Sequence, residues 1–314
     1  MITYSFIIPH HNTPKLLQRL IDTIPQRDDI EIIIVDDNSD DDKKANVIRA
    51  DVKTIIIDKA HTKGAGHARN IGIDNAAGKW LLFADADDMY KQGFIDVLDE
   101  YKNDDIELLF FNVDSVDSKT LLPGKINRAE YIDLAIKEYN RNKNSKDYLL
   151  YDCSWVPWRK MISSKYIKHF KFQYEEVPIA NDILFAFLTS YFCKKWKSTS
   201  KVLYTITYSE RSLSLSKRSF GKHVSLLQTK KRIAIFYKFI GHKEWNWKSP
   251  SHGFLPTSCF KYIAVEIIKN FPMGCKLLFY YLINCYNITK ESKYYVNTIK
   301  SKQLYINKFV KDDH

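Results

Sequence analysis

Leu81-Leu82-Phe83-Ala84-Asp85-Ala86-Asp87-Asp88-Met89-Tyr90 runs four apolar residues directly into three carboxylates. The apolar half, with Trp80 before it, does not alternate with polar residues and so reads as a strand buried on both faces. The acidic half cannot follow it inside. Three clustered negative charges repel one another unless a cation lies among them. The stretch therefore predicts a buried strand whose carboxyl end faces a ligand.

Four more runs of the same kind surround it. Ser5 to Ile8 ends at Pro9, Glu31 to Val35 ends at Asp36-Asp37-Asn38, and Thr54 to Ile57 and Leu108 to Phe111 complete the set. Helical spacing fills the gaps. Leu16, Leu17, Leu20, Ile21 and Ile24 follow Pro14, residues 66–77 follow a glycine-rich turn, and Phe94, Val97, Leu98 and Tyr101 follow Gly93. A βαβ series of this kind predicts an α/β fold with a mainly parallel central sheet flanked by helices.

Such sheets bind ligands outside the carboxyl ends of their strands. There the sequence places Pro9-His10-His11-Asn12, then Asp36-Asp37-Asn38-Ser39, then the segment from His61 to Asn70, and then Asp85, Asp87 and Asp88. The last cluster suits a hard divalent cation, Mg²⁺ or Mn²⁺, which prefers carboxylate oxygens and bridges to phosphates. In the second, Asp37 is placed to accept from a base or ribose, and Asn38, Ser39 or Asp40 to cap a helix running through Lys43-Lys44. The third, Lys63-Gly64-Ala65-Gly66-His67-Ala68-Arg69-Asn70-Ile71-Gly72, contains G-x-G but follows the third strand, so it fails as a dinucleotide fingerprint. Its glycines allow close backbone approach, and Arg69 falls in the first turns of a helix, where donors favour anions.

The 314 residues suffice for two domains, and a hydrophobic fraction of 45% supports a sizeable core. No 18-residue apolar run is present, and Met1 to Ser5 lack a basic n-region, so the expected location is cytoplasmic. Cys153, Cys193, Cys259, Cys275 and Cys285 lie far apart with no C-x-x-C pair, which indicates neither a zinc site nor a disulfide frame. From Lys217 onward, 18 Lys/Arg stand against 5 Asp/Glu, a balance of +13 in a chain whose total is +11. The basic excess is thus confined to the last third, and it suggests a partner there different from that of the near-neutral body.

The set Ile7-Ile8-Pro9-His10-His11-Asn12, Ile34-Val35-Asp36-Asp37-Asn38-Ser39, Gly64 to Gly72 and Phe83-Ala84-Asp85-Ala86-Asp87-Asp88 resembles family 2 glycosyltransferases of the GT-A fold, over residues 3–215. The similarity is closest to bacterial enzymes of capsular or other surface polysaccharide synthesis. It implies a metal-dependent hexosyltransferase with Mn²⁺ or Mg²⁺ on Asp85 and Asp87, with Asp88 adjoining. It further implies a nucleotide-sugar donor whose base, uracil by the Asp37 pattern, meets Asp37 and the loop Pro9, His10 and Asn12, and it carries Arg69 and Asp85 into the donor site. The family's E-D pair falls on Asn181-Asp182, so the glutamate is replaced and the base, Asp182, is kept. A carboxylate there suits removal of a proton from an acceptor hydroxyl. The resemblance places Arg211, with Lys217 and Arg218, in a loop over the diphosphate, and implies inversion at the anomeric carbon. Trp155 and Trp158 are offered as faces on which sugars stack.

On this reading residues 1–112 form the nucleotide-sugar-binding α/β half, 113–215 the acceptor-binding half, and 216–314 a basic, aromatic helical extension. Helices are expected near 127–139, 181–192, 221–240, 254–271, 273–288 and 291–302, a strand at 202–208, and a linker or lid at 209–219. Basic residues flanking apolar aromatic helices suit an anionic membrane surface, to which a polyprenyl-diphosphate-linked saccharide acceptor would bring the chain. The alternative is a nucleotidyltransferase acting on a sugar phosphate, but it requires a glycine-rich phosphate loop after the first strand, and Pro9 to Thr13 is not one. No nucleic-acid partner is expected, and oligomeric state is not legible.

Overall fold

A computed structural model describes residues 1–123, 129, 156–208, 219–228, 263–265 and 267–279. The chain divides into two compact units, Met1–Val177 with Asn181–Ser216, and Pro178–Ala180 with Lys217–His314. The helices expected at 127–139 and 291–302, most of the other late helices, and the segment 209–218 fall outside the described residues.

The first unit is built on a sheet of eight strands, β1 (Tyr4–His10), β2 (Ile30–Asp37), β3 (Val52–Ile57), β4 (Trp80–Phe83), β5 (Met89–Tyr90), β6 (Leu108–Asp117), β7 (Lys160–Ser163) and β8 (Trp196–Tyr208). Their order is β3-β2-β1-β4-β7-β6-β8-β5. The strands β3, β2, β1 and β4 run parallel, and β6 runs parallel to β8. The short β7 pairs antiparallel with both β4 and β6, and β5 antiparallel with β8. The sheet is therefore mixed, and its parallel half is the part the apolar runs announced. β6 spans residue 112, with shifts in its register to β8 on either side of Asn112.

Helices α1 (Pro14–Asp22), α2 (Ala65–Asn75), α3 (Phe94–Asp99), α4 (Ser164–Phe170) and α5 (Ile183–Phe192) accompany it. α1 begins on Pro14 and buries Leu17, Leu20 and Ile21, the stripe its spacing predicts. They join Tyr4, Phe6, Ile8, Ile32, Ile34 and Leu82 in the main core. On the opposite face α2 approaches β1 closely, since a Cβ on Gly72 would lie 2.3 Å from Ile7 Cγ2.

Two expectations fail locally. β3 reads as buried on both faces, yet Ile56 is 56% exposed, because β3 is the edge of the sheet and only β2 covers it. The helix expected after Asp36-Asp37 is a single 3₁₀ turn, Asp41–Lys43, whose cap Asp40 makes no side-chain capping bond and instead pairs with Lys43 at 2.7 Å. Ser39 instead accepts from the Asn12 N–H at 2.9 Å.

In the second unit residues 220–228, 263–265, 267–269 and 271–279 are helical. The break at Asn270, just before Phe271-Pro272, is where proline's fixed φ suits a helix start. Gly274 lets the backbones meet there, for a Cβ would lie 2.4 Å from Ile267 Cα.

Candidate active site

The four loops that follow β1, β2, β3 and β4 lie on one edge, because those strands are parallel and in register, with His10 opposite Asp36 and Asp37 opposite Ile57. The first two loops are tied to each other. His10 is buried, sets Nδ1 2.9 Å from Asp36 Oδ2, and accepts at Nε2 from the Thr13 N–H, which fixes its tautomer. Asn12, held at φ 57°, accepts at Oδ1 from the Asp40 N–H at 2.8 Å. Asp36 also accepts from the N–H groups of Ser39 and Ala45. Burial pushes its carboxyl up, but those donors and His10 outweigh burial and hold it below the ordinary carboxylate range. His10 thus buttresses the edge, and its burial corrects the expectation that it meets the donor's base.

Asp37 is turned toward the third loop. It accepts from Thr62 Oγ1 at 2.6 Å and from the Gly64 N–H at 3.0 Å.

The acidic turn after β4 splits. Asp88 is buried, and both its oxygens are engaged, one by the Tyr204 hydroxyl at 2.9 Å and the other by the Thr207 N–H at 2.7 Å. Burial, then the charges of Asp87 and Asp85, push its carboxyl well above the ordinary range. Asp88 therefore anchors the turn and is not positioned as a metal ligand, a correction to the expected trio. Asp87 is exposed, and its backbone carbonyl accepts from Arg19 Nη2 of α1 and from Thr207 Oγ1 of β8. Asp85 is half-buried and accepts at Oδ1 from Arg69 Nη2 at 2.7 Å.

Asp85 and Asp87 thus offer hard oxygens two residues apart on a braced turn, a donor set that fits Mn²⁺ or Mg²⁺. Among the described residues no three His, Cys, Asp or Glu side chains are grouped to hold an ion alone. An ion here would complete its shell with phosphate oxygens and water, as magnesium commonly does.

α2 does something the sequence reading did not foresee. Its glycine-rich start receives the chain's own residues 174–176 and Asn181. A Cβ on Gly66 would lie 2.0 Å from the carbonyl oxygen of Glu175. Asn70 exchanges two bonds with the Tyr174 backbone, at 2.7 and 3.0 Å. Glu176 is gripped by Lys63 at 2.7 Å and His67 at 2.8 Å. Arg69, expected at the diphosphate, is buried instead. Its Nη1 donates to Asn181 Oδ1 at 2.8 Å, its Nη2 to Asp85, and its Cζ lies 5.3 Å from the centroid of the Tyr174 ring.

Asp182 stands at the N-cap position of α5 but makes no side-chain capping bond. It is partly exposed. Burial of its surroundings pushes its carboxyl up, against Arg69 and Lys160, which pull it down. Lys160, buried in β7, is itself pushed down to about 7 by burial and by neighbouring Arg159. The upward shift of Asp182 is in the direction that suits a group taking up a proton.

Trp158 is core, its face covered by Tyr204 at 5.6 Å and 8°. Trp155, Arg211, Lys217 and Arg218 lie outside the described residues. Arg19, Lys160, Tyr204 and Thr207 were not anticipated. The hydroxyl-bearing run Tyr204-Thr205-Ile206-Thr207-Tyr208 in an apolar strand was the available signal, since buried hydroxyls need partners.

An α/β sheet with an acidic turn at its ligand edge, and a carboxylate opposite on a helix start, defines a nucleotide-diphospho-sugar transferase fold of the GT-A type. The chain matches the family described as glycosyl transferase family 2 over residues 5–164, and it belongs to that family. It is 33% identical over 114 residues to the GalNAc(5)-diNAcBac-PP-undecaprenol beta-1,3-glucosyltransferase of Campylobacter jejuni, covering 34% of this chain and 37% of that one. To glycosyltransferase GlyG of Streptococcus pneumoniae it is 31% identical over 99 residues, 30% of this chain and 33% of the other. The matches thus span about a third of each relative's length. The crystal structure of Staphylococcus aureus TarS 1–349 in complex with UDP-GlcNAc superimposes with a TM-score of 0.53 at 21% identity, over 73% of this chain and 65% of TarS 1–349, a likeness of fold.

Proposed function

We propose that this chain is an inverting hexosyltransferase that moves a sugar from a UDP-sugar to a hydroxyl of a saccharide carried on a polyprenyl diphosphate, in surface polysaccharide synthesis. The observation that carries the reading is Arg69, which joins Asp85 of the acidic turn to Asn181, the neighbour of Asp182. One guanidinium thereby ties the Asp85 carboxylate to the Asn181 amide, one residue before Asp182.

Each residue then has a task. Asp37 and the Pro9 to Asn12 loop form the shelf for the base. Asp87 and Asp85 would hold Mn²⁺ or Mg²⁺, which supplies charge neutralisation for the leaving diphosphate. Asp182 takes the proton of the attacking hydroxyl. The family resemblance supports attack from the side opposite the leaving group, with inversion at the anomeric centre. The lipid-linked acceptor is supported by the name of the Campylobacter relative, which specifies a PP-undecaprenol saccharide.

The second unit supports work at the inner membrane face. No helix among the described residues is long and apolar enough to cross a membrane. Yet Phe271, Cys275 and Phe279 share one face of residues 271–279, and Phe271 and Phe279 are 67% and 68% exposed beside Lys276. Nearby in sequence Ile268 is 84% exposed, next to Lys269. Apolar rings among lysines, in a region of balance +13, match the surface of an anionic bilayer.

UDP release from a panel of UDP-sugars, with Mn²⁺ and with EDTA, tests the reaction. Turnover is expected with at least one donor, lost in EDTA and in Asp87→Ala. Metal-independent release, or full activity in Asp87→Ala, overturns the reading.

A further inference from the structure

We propose that Asn181 is a positioning residue: held between Arg69 and the carbonyl of Val177, it fixes the first turn of α5 relative to Asp85 and so sets where the Asp182 carboxylate stands. This rests on Asp182 being the base.

The side chain meets two kinds of partner. Arginine only donates, so Oδ1 of Asn181 faces it, at 2.8 Å. The amide nitrogen then faces the Val177 carbonyl oxygen, at 3.5 Å. An amide serves both. A carboxylate would satisfy Arg69 but would set an oxygen against the Val177 carbonyl, which is the physical reason an asparagine fits where the family resemblance leads one to expect an acid. The backbone completes the loop, with the Glu175 N–H donating to the Asn181 carbonyl at 3.1 Å.

The link is stiff from end to end. Guanidinium is a planar fork, so moving one of its partners moves the other. Its plane rests near Tyr174, which stacks at 3.9 Å on Phe185 of α5. A shift of α5 is therefore felt at Asp85, and the reverse. Misplacing a reacting group by about 1 Å costs on the order of 10²-fold in rate.

The test uses the full chain with Mn²⁺ and the most active UDP-sugar of the panel, its hydrolysis by water serving as turnover where no acceptor is in hand. N181A is expected to lower kcat, counted per UDP-binding site so that unfolded protein drops out, at least about tenfold, while donor KM and the Kd for UDP stay within about twofold. N181A combined with R69K is expected to be little worse than the poorer single variant, because both act through one bond. A kcat for N181A within twofold of wild type, or multiplying effects in the double variant, overturns the proposal. Where N181A fails to fold, N181D keeps the volume and the acceptor for Arg69. Its kcat is expected to fall, and wild-type kcat in it overturns the proposal too. D182N runs alongside: wild-type turnover there sinks the base assignment, whereas loss in D182N with full kcat in N181A sinks this proposal alone.

Discussion

The Tyr204 hydroxyl accepts from the N–H of Asp85 at 3.0 Å and donates to the carboxylate of Asp88 at 2.9 Å, so one oxygen of β8 braces both ends of the acidic turn. Tyr204 is fully buried among Tyr90 and Trp158, and its ring cannot turn away. Replacing it with phenylalanine leaves a buried N–H and a buried carboxyl oxygen each without this partner. Tyr204→Phe is expected to cost about 1–3 kcal/mol of stability and to raise the Mn²⁺ concentration needed for half-maximal UDP release. Urea unfolding and a metal titration check the two effects, and unchanged metal dependence would show that the turn does not rely on this hydroxyl.

Gly66 gives a second prediction. A methyl there would meet the Glu175 carbonyl oxygen at 2.0 Å, and that contact is backbone, so the segment leading to Asp182 must move. Gly66→Ala is expected to cost about 1–3 kcal/mol and to lower turnover together with stability. Gly221, with nothing within 4 Å of a built Cβ, is the control. Gly221→Ala is expected to be neutral or to stabilise by roughly 0.5–1 kcal/mol, as chemical denaturation of both variants will show.

Asp182 ties stability to activity. Its folded carboxyl titrates above the ordinary value, so ionisation disfavours the folded state once pH exceeds the unfolded-state value of about 3.9. The penalty grows as pH rises to the folded value and is constant beyond it; below both values it vanishes. Asp182→Asn is therefore expected to stabilise the chain at pH 7, with no gain near pH 3, while abolishing transfer and sparing UDP binding. In the wild type, kcat/KM should decline on the acid side at a pH above that of an ordinary aspartate. A melting series across pH, paired with a pH–rate profile, decides it. A variant less stable at pH 7 contradicts the assignment.

The exposed rings of the second unit predict lipid selectivity. The full chain should sediment with vesicles containing anionic phosphatidylglycerol and much less with pure phosphatidylcholine, and added salt should weaken binding. Phe271→Ser with Phe279→Ser is expected to reduce that binding at least about tenfold while UDP release in solution persists. A double variant that binds vesicles as wild type does, or that instead changes from dimer to monomer in sedimentation velocity, assigns the face to something other than lipid.

How far the residues could be read in order depended on the kind of interaction involved. Apolar runs such as Ile32 to Val35 and Trp80 to Phe83 announce buried parallel strands because burial on both faces tolerates little else, and Pro14 and the spacing behind it mark α1. The same runs could not say that β3 is an edge, since Ile56 is exposed only through what is absent beside it. Nor could G-A-G-H-A-R-N disclose its partner. Glycine declares that something comes close, and here that something is a carbonyl more than 100 residues away.

The sequence by itself determined the α/β class and the edge where the parallel strands end in polar loops, Asp85 and Asp87 among them, because these follow from local pattern and strand direction; Asp182 entered the candidate site through the family resemblance. Only the tertiary structure decided that Asp88 and His10 are braces, that Arg69 spans from the acidic turn to α5, and that β8 supplies Tyr204 and Thr207. Those roles are set by which buried donor finds which acceptor, and a buried polar group must be paired with whatever the packing of distant segments brings to it.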